Sequence, residues 1–438
     1  MKWASEALID AVLDSGPTPA RSGASLESRT EPLTPIGPIV QRSIARIPPS
    51  STEGGRAART LARQNRSTEA DRHSVRSIVS IPPPVTTEDP SIRALASIEV
   101  DRAVRPPAIT PALASTEIDR HAVRLIAIDR ASERLEVRKF AELPTVLRVG
   151  DLVVVNDAAT LPGSLRGRTA DGAELELRLS GPVDGAQLDG VLLGAGDWRT
   201  RTEHRSPPPR LEVGDVVTIG TSNATVIAAQ GRSVVLELAS REALWSMLYG
   251  SGTPVQYAHR SEPLPLWSVQ TAYAARPWAA EMPSAGRPLT WDVILGLRRA
   301  GIAIATLTHA AGLSSTGDDA LDRALPWPER YEIPVGTSTA IRETRARGGR
   351  VIAIGTTVVR ALEASGGAPG LGVATLKLRA SSTPRVVDGL VSGLHMPGES
   401  HFELLRAFAP SARLHRALAL AAERGLSSHE LGDACLIV

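Results

Sequence analysis

No Phe, Trp or Tyr occurs between Trp3 and Phe140, so almost the first third of this 438-residue chain lacks a large aromatic anchor. The same stretch carries the proline clusters Pro48-Pro49, Pro82-Pro83-Pro84 and Pro106-Pro107. Without large apolar side chains, burial cannot offset the entropy of ordering the backbone. Residues 1–105 are therefore expected to be a disordered Pro/Ser/Arg-rich extension, with the folded part beyond it. Inside the extension, Ser67–Ile78 reads STEADRHSVRSI and recurs at Ser115–Ile126 as STEIDRHAVRLI, nine of twelve positions being identical. Two copies do not make a solenoid. The second runs into a strand pattern and the first into prolines, so the first reads as a duplicated edge with no fold of its own. A functional duplicated motif is the sharper alternative.

Apolar residues make up 42% of the chain and charged residues 22%, enough for a globular core over the remainder. A net charge of +2 neither demands nor forbids a nucleic-acid partner. The arginines between Arg56 and Arg66 read first as a solvated basic tail. The single cysteine, Cys435, excludes an intrachain disulfide and a cysteine-cage zinc site, which suits a reducing compartment. No metal is expected. No run of 18 apolar residues is present, so no membrane span is expected. The acids in MKWASEALIDAVLDSG interrupt the apolar stretch that a signal peptide needs. The expectation is a cytoplasmic monomer without membrane contact.

From Val123 the texture changes. VRLIAIDRASERLEV alternates around a turn and reads as a β-hairpin, and LRVGDLVVVND as a turn followed by a buried strand ending in Asn156-Asp157. Six short strand patterns follow at close spacing, from GSLRGRT to SVVLELAS, and suggest a small β-barrel or sandwich. Beyond about residue 265 strands alternate with helices such as WDVILGLRRAG and STAIRETRARGG, which argues for a mixed or parallel sheet. The expected architecture is an α/β main domain, residues 106–161 and 259–438, with a β-barrel-like domain inserted at 162–258.

Three features could carry chemistry. Gly355-Thr356-Thr357 follows a buried strand and opens a helix, where free backbone N–H groups suit a carboxylate or phosphate. The plain alternative is an N-cap. His395 lies in the Gly/Pro loop SGLHMPGES, and histidine is readily tuned for proton transfer, although a loop histidine is often merely structural. Glu329, in WPERYEI, reads alone as a surface carboxylate. Neither a dinucleotide fingerprint nor a P-loop follows any strand.

Seven segments nevertheless occur in a telling order: GDLVVVND, QTAYA, PSAG, PERYEIP, RVIAIGTTVVRALE, VVDGL with LHMP, and GDACLI. From about residue 115 to the last residue the chain resembles the S-adenosylmethionine:tRNA ribosyltransferase-isomerase family of queuosine biosynthesis. The resemblance implies an α/β domain with an inserted barrel and S-adenosylmethionine as ribosyl donor. It implies transfer and isomerisation of the ribosyl group onto a 7-aminomethyl-7-deazaguanine in tRNA, with release of adenine and methionine. It implies His395, Glu329 and Asp157 as catalytic residues. Asn156, Gln270, Tyr273, Gly286, Gly355, Thr356, Thr357, Arg360 and Asp388 become substrate-binding residues. Glu329 or Asp157 would face the sulfonium, and the carboxyl edge of the sheet would gather most of these groups into one pocket.

The chain departs from the family's motifs where polar residues are concerned. After Asn156-Asp157 the family's Thr-Arg and Ile-Pro-Ala-Arg are replaced by Ala158-Ala159-Thr160-Leu161-Pro162-Gly163-Ser164. Gly286-Arg287-Pro288 lacks a family histidine, and His309 is displaced by one position in its motif. Two other readings therefore accompany the first: a divergent enzyme with an adenosyl-sulfonium pocket and a small-molecule acceptor, and a non-catalytic RNA- or ligand-binding protein on the same scaffold.

Overall fold

A computed structural model describes residues 119–438, apart from residues 133, 259–261 and 429–430. The expected disordered extension and the first copy of the repeat lie outside the described residues.

The strands run, in chain order, β1 (Arg124–Ile128), β2 (Leu135–Lys139), β3 (Leu152–Asn156), β4 (Ala158–Thr160), β5 (Ser164–Thr169), β6 (Glu174–Leu179), β7 (Gln187–Gly194), β8 (Val216–Ile219), β9 (Ser222–Gln230), β10 (Ser233–Glu237), β11 (Arg276–Ala279), β12 (Ala303–His309), β13 (Glu329–Ile333), β14 (Val351–Ile354), β15 (Gly370–Ala374), β16 (Gly389–Gly393) and β17 (Ala434–Ile437). The α-helices are α1 (Leu143–Val146), α2 (Arg241–Ser251), α3 (Trp291–Arg299), α4 (Asp319–Ala324), α5 (Val335–Ala346), α6 (Thr356–Ser365), α7 (Ser400–Leu405) and α8 (Ser411–Glu423).

A nine-stranded mixed sheet has the order β15-β13-β12-β3-β14-β16-β17-β1-β2. Its centre, β12-β3-β14-β16, is parallel. Strand β3, LVVVN, is buried at all five positions, as a strand covered on both faces should be. Leu152 and Val154 pack with α6, α7 and α8, whereas Val153 and Val155 pack with Phe140 and α3 on the other face. The hairpin β1–β2 is antiparallel, as the alternation predicts.

Strands β5 to β10 close into an antiparallel barrel, in the order β10-β7-β6-β5-β8-β9. Its lumen is filled by Leu165, Leu175, Leu177, Leu188, Leu192, Val217, Val226 and Leu236. Helix α2, which strand patterning does not reveal, packs Leu244, Met247 and Leu248 onto the same core. Ser240 caps it by accepting the Ala243 N–H at 3.1 Å. A two-stranded parallel ribbon, β4–β11, leaves the end of β3 and leads towards the barrel. No described helix is long and apolar enough to cross a membrane.

Candidate functional site

The carboxyl ends of β12, β3, β14 and β16 form one edge, and strand alternation sorts their side chains onto two faces. Leu307, Tyr331 and Ile333 belong to the core beneath α6. Their neighbours by parity, His309 and Glu329, therefore point to the α6 side. Thr308 and Glu332, opposite each other in the β12–β13 ladder, point to the other side.

On the α6 side, Asn156 joins two strand ends. Its Oδ1 accepts the N–H of His309 at 2.9 Å and of Ala158 at 3.0 Å, and its Nδ2 donates to the His309 carbonyl at 2.9 Å. Nδ2 also lies 3.5 Å from Thr357 Oγ1. Beside it, Arg360 is spent on internal bonds. Its guanidinium pairs with Glu329 and donates to the carbonyls of Trp327 at 2.9 Å, Ala374 at 2.9 Å and Leu376 at 3.2 Å. Burial pulls its pKa down to about 10. Glu329 Oε1 accepts the Gly312 N–H at 2.6 Å, so the carboxylate also holds the loop after β12. His309 is fully buried, and neither ring nitrogen has a hydrogen-bond partner among the described residues. Burial first, and then the Arg360 charge, drive its pKa down to about 3.

Gly355 caps α6 with φ +97°, a conformation L side chains rarely adopt. Its N–H donates to the Val391 carbonyl at 2.8 Å, which ties the helix start to β16. No side chain caps the helix, so its first N–H groups have no capping partner where α6 begins, at the end of β14. His395 lies just beyond, with Nε2 3.2 Å from Ser392 Oγ, Nδ1 3.2 Å from Glu399, and its ring stacked on His401 at 4.6 Å.

On the opposite face, Asp157 accepts the Thr308 hydroxyl at 2.5 Å. Burial raises its pKa, opposed by that bond and by Arg276, whose own guanidinium pairs with Glu332 at 2.5 Å. Tyr273 and Gly286 adjoin this cluster. Burial, then the Asp157 charge, push the Tyr273 hydroxyl pKa up, and a side chain at Gly286 would collide with that hydroxyl.

The edge thus gathers Asn156, Asp157, Glu329, Gly355, Thr356, Thr357, Arg360 and His395, but on two faces rather than in one pocket. Glu329 is the first residue of β13 and pairs with Arg360 rather than standing as a surface carboxylate. Its carboxylate is committed to Arg360, which leaves Asp157, part-buried, as the acid without an ion-pair partner of its own among the described residues. The Gln270 amide is engaged with Thr160, accepting that residue's N–H and donating to its C=O, both at 2.9 Å. Asp388 immediately precedes β16, and it accepts the Val351 N–H at 2.8 Å. It therefore lies at the amino edge, a full strand length from Gly355. Sequence patterning could have separated Asp157 from Asn156 and Thr308 from His309 by period two. It could not have shown that His309 is buried without a hydrogen-bond partner among the described residues, or that Arg276 and Glu332 come together. A cavity of about 10 Å³ lined by Thr160, Val255, Leu264, Glu281 and Met282, and a surface hollow of about 480 Å³ at Arg210–Val213, involve none of the predicted residues. Among the described residues no group of three His, Cys, Asp or Glu could hold a metal ion.

A profile of the family described as "Queuosine biosynthesis protein" matches residues 107–437. Proteins named S-adenosylmethionine:tRNA ribosyltransferase-isomerase from Anaeromyxobacter dehalogenans and Acidithiobacillus ferrooxidans are 31% and 32% identical to the chain. Each match covers 73% of this chain, with 93% and 92% of the respective relative. A solved structure, the S-adenosylmethionine tRNA ribosyltransferase of Thermotoga maritima, is 23% identical, covers 76% of this chain and 99% of its own, and has a TM-score of 0.41.

Proposed function

The chain belongs to the family of queuosine biosynthesis proteins, and on that premise we propose that it is a tRNA-modifying ribosyltransferase-isomerase using S-adenosylmethionine as its ribosyl donor. The acceptor is the amine of a 7-aminomethyl-7-deazaguanine in tRNA, and the setting is the cytoplasm. The sulfonium acidifies the adjacent methylene, so a positioned base can form an ylide. The ribose then rearranges to an epoxycyclopentane as adenine and methionine depart.

One observation supports this reading above the others. An uncapped helix start at Gly355 and a desolvated carboxylate at Asp157 flank the same strand edge, linked through the Asn156 contact with Thr357. The helix N–H groups suit the methionine carboxylate. Asp157 suits the sulfonium, because a cation there relieves the desolvation that raises its pKa. His395, partnered by Ser392 and Glu399, is assigned proton transfer. Glu329 keeps a positioning role, through Arg360 and Gly312.

Incubation with S-adenosylmethionine and total tRNA should release adenine and methionine in equal amounts. Release with a small amine but not with tRNA would move the acceptor to a small molecule. Binding of S-adenosylmethionine without release in either case would leave a ligand-binding protein.

A further inference from the structure

Strand β11 departs from its partner at one residue. Arg276 pairs with Ala158 and Pro277 with Ala159, but the next pair is Ala279 with Thr160, so Trp278 is the extra residue of a bulge. Bulges re-aim side chains out of the ladder. Here the half-buried indole carries two guanidiniums, Arg276 with Cζ 5.3 Å and Arg330 with Cζ 5.4 Å from the ring centroid. Arg276 is tied to Glu332. Arg330 is exposed and has no ion-pair partner among the described residues. The patch borders the acid of the site. Arg276 lies beside Ala158, the residue after Asp157, and its charge acts on the Asp157 carboxyl.

Resting on the reading that tRNA is the acceptor, we propose that Trp278, Arg276 and Arg330 form a docking patch for single-stranded RNA next to Asp157. A net charge of +2 provides little overall attraction for a polyanion, so contact must be local. An exposed guanidinium gives a lone anion only about 0–1 kcal/mol, which makes this a poor site for a free phosphate. A chain of phosphates binds such groups by releasing condensed counterions. Guanidiniums held against an indole present their forks in fixed directions. The indole adds an apolar surface for a base, with stacking contributions of about 1–3 kcal/mol. Neither an acidic peptide nor heparin offers a base.

The test measures binding of total tRNA and of heparin by the full chain across a salt series, with S-adenosylmethionine affinity followed by calorimetry. Arg330→Gln should weaken tRNA binding severalfold and reduce the salt slope by about one. Trp278→Ala should weaken tRNA binding by about tenfold, in line with loss of one stacked base, and heparin binding by clearly less. S-adenosylmethionine affinity should persist in both variants. Unchanged tRNA affinity in both overturns the proposal. So does an equal loss of heparin and tRNA binding in Trp278→Ala, which would mark a general polyanion or acidic-protein surface. Loss of S-adenosylmethionine binding together with tRNA binding would also overturn it. If the unaltered chain binds tRNA through this patch yet releases no adenine, the patch stands and the enzymatic reading fails.

Discussion

Nε2 of His309 stands 3.6 Å from Oε2 of Glu329, and the Arg360 guanidinium is bonded to that same oxygen. The carboxylate thus lies between a fixed cation and an imidazole that burial keeps neutral. The trio forms a buried floor beneath the strand edge, and Asp157, itself part-buried, lies on the other side of the sheet.

The imidazole makes stability depend on pH. His309 has a folded pKa of about 3 against an ordinary value of 6.5, so the unfolded chain takes up a proton that the folded chain refuses. The contribution is complete above about pH 6.5 and is lost as pH falls towards 3, by on the order of 1 kcal/mol per unit. Urea unfolding at pH 7 and pH 5 should show a smaller loss in His309→Gln than in the unaltered chain. Equal losses would place the sensitivity in other groups.

The ion pair itself is open to a double-mutant cycle. Arg360→Met leaves the Glu329 carboxylate buried without its cation and should cost about 3–5 kcal/mol. Glu329→Gln combined with Arg360→Met should cost clearly less than the sum of the two single changes. Additive losses would mean that the two groups do not depend on each other.

His395→Ala should leave S-adenosylmethionine affinity largely intact while adenine release falls by about 10²–10⁴-fold, the range of general acid–base contributions. Calorimetry and a chromatographic adenine assay on the same preparation decide it. Unchanged release would remove His395 from proton transfer.

Gln270 and Asp388 should behave as structural residues. Gln270→Leu strips Thr160 of two backbone partners and should destabilise the fold by about 1–3 kcal/mol. Asp388→Asn at the amino edge should leave both S-adenosylmethionine affinity and adenine release near those of the unaltered chain. A selective loss of release in either variant, at unchanged stability, would return that residue to the site.

Much of the fold was legible along the chain, because alternation and turn spacing are local signals. Six short strands between Ser164 and Glu237 have the period and the glycine turns of a barrel, and the barrel closes from those strands. LVVVN before Asp157 announces a strand buried on both faces, and RVIAIGTTVVRALE announces a strand, a turn and a helix. Asn156, Asp157, Gly355 and Thr357 could be placed at strand ends because parallel strands fed by helices share one carboxyl edge. Helix α2 escaped because its sequence, REALWSMLYGS, continues an apolar run that also reads as strand.

Strand order and facing escape a linear reading, and they decided the site. Asp388 and Gly355 flank strands of the same sheet, yet one precedes β16 and the other follows β14, so a strand length separates them. Asn156 and Asp157 are neighbours in sequence, yet the pleat turns one towards Arg360's helix and the other towards Tyr273. Arg360 reads as a cation available to a ligand until the fold brings Glu329, Trp327, Ala374 and Leu376 around it. Sequence patterning determined which segments become strands and helices, since those follow from neighbours a few residues apart. Which charges remain available to a substrate depended on contacts across dozens to hundreds of residues, because a buried ion must find a partner wherever the chain supplies one.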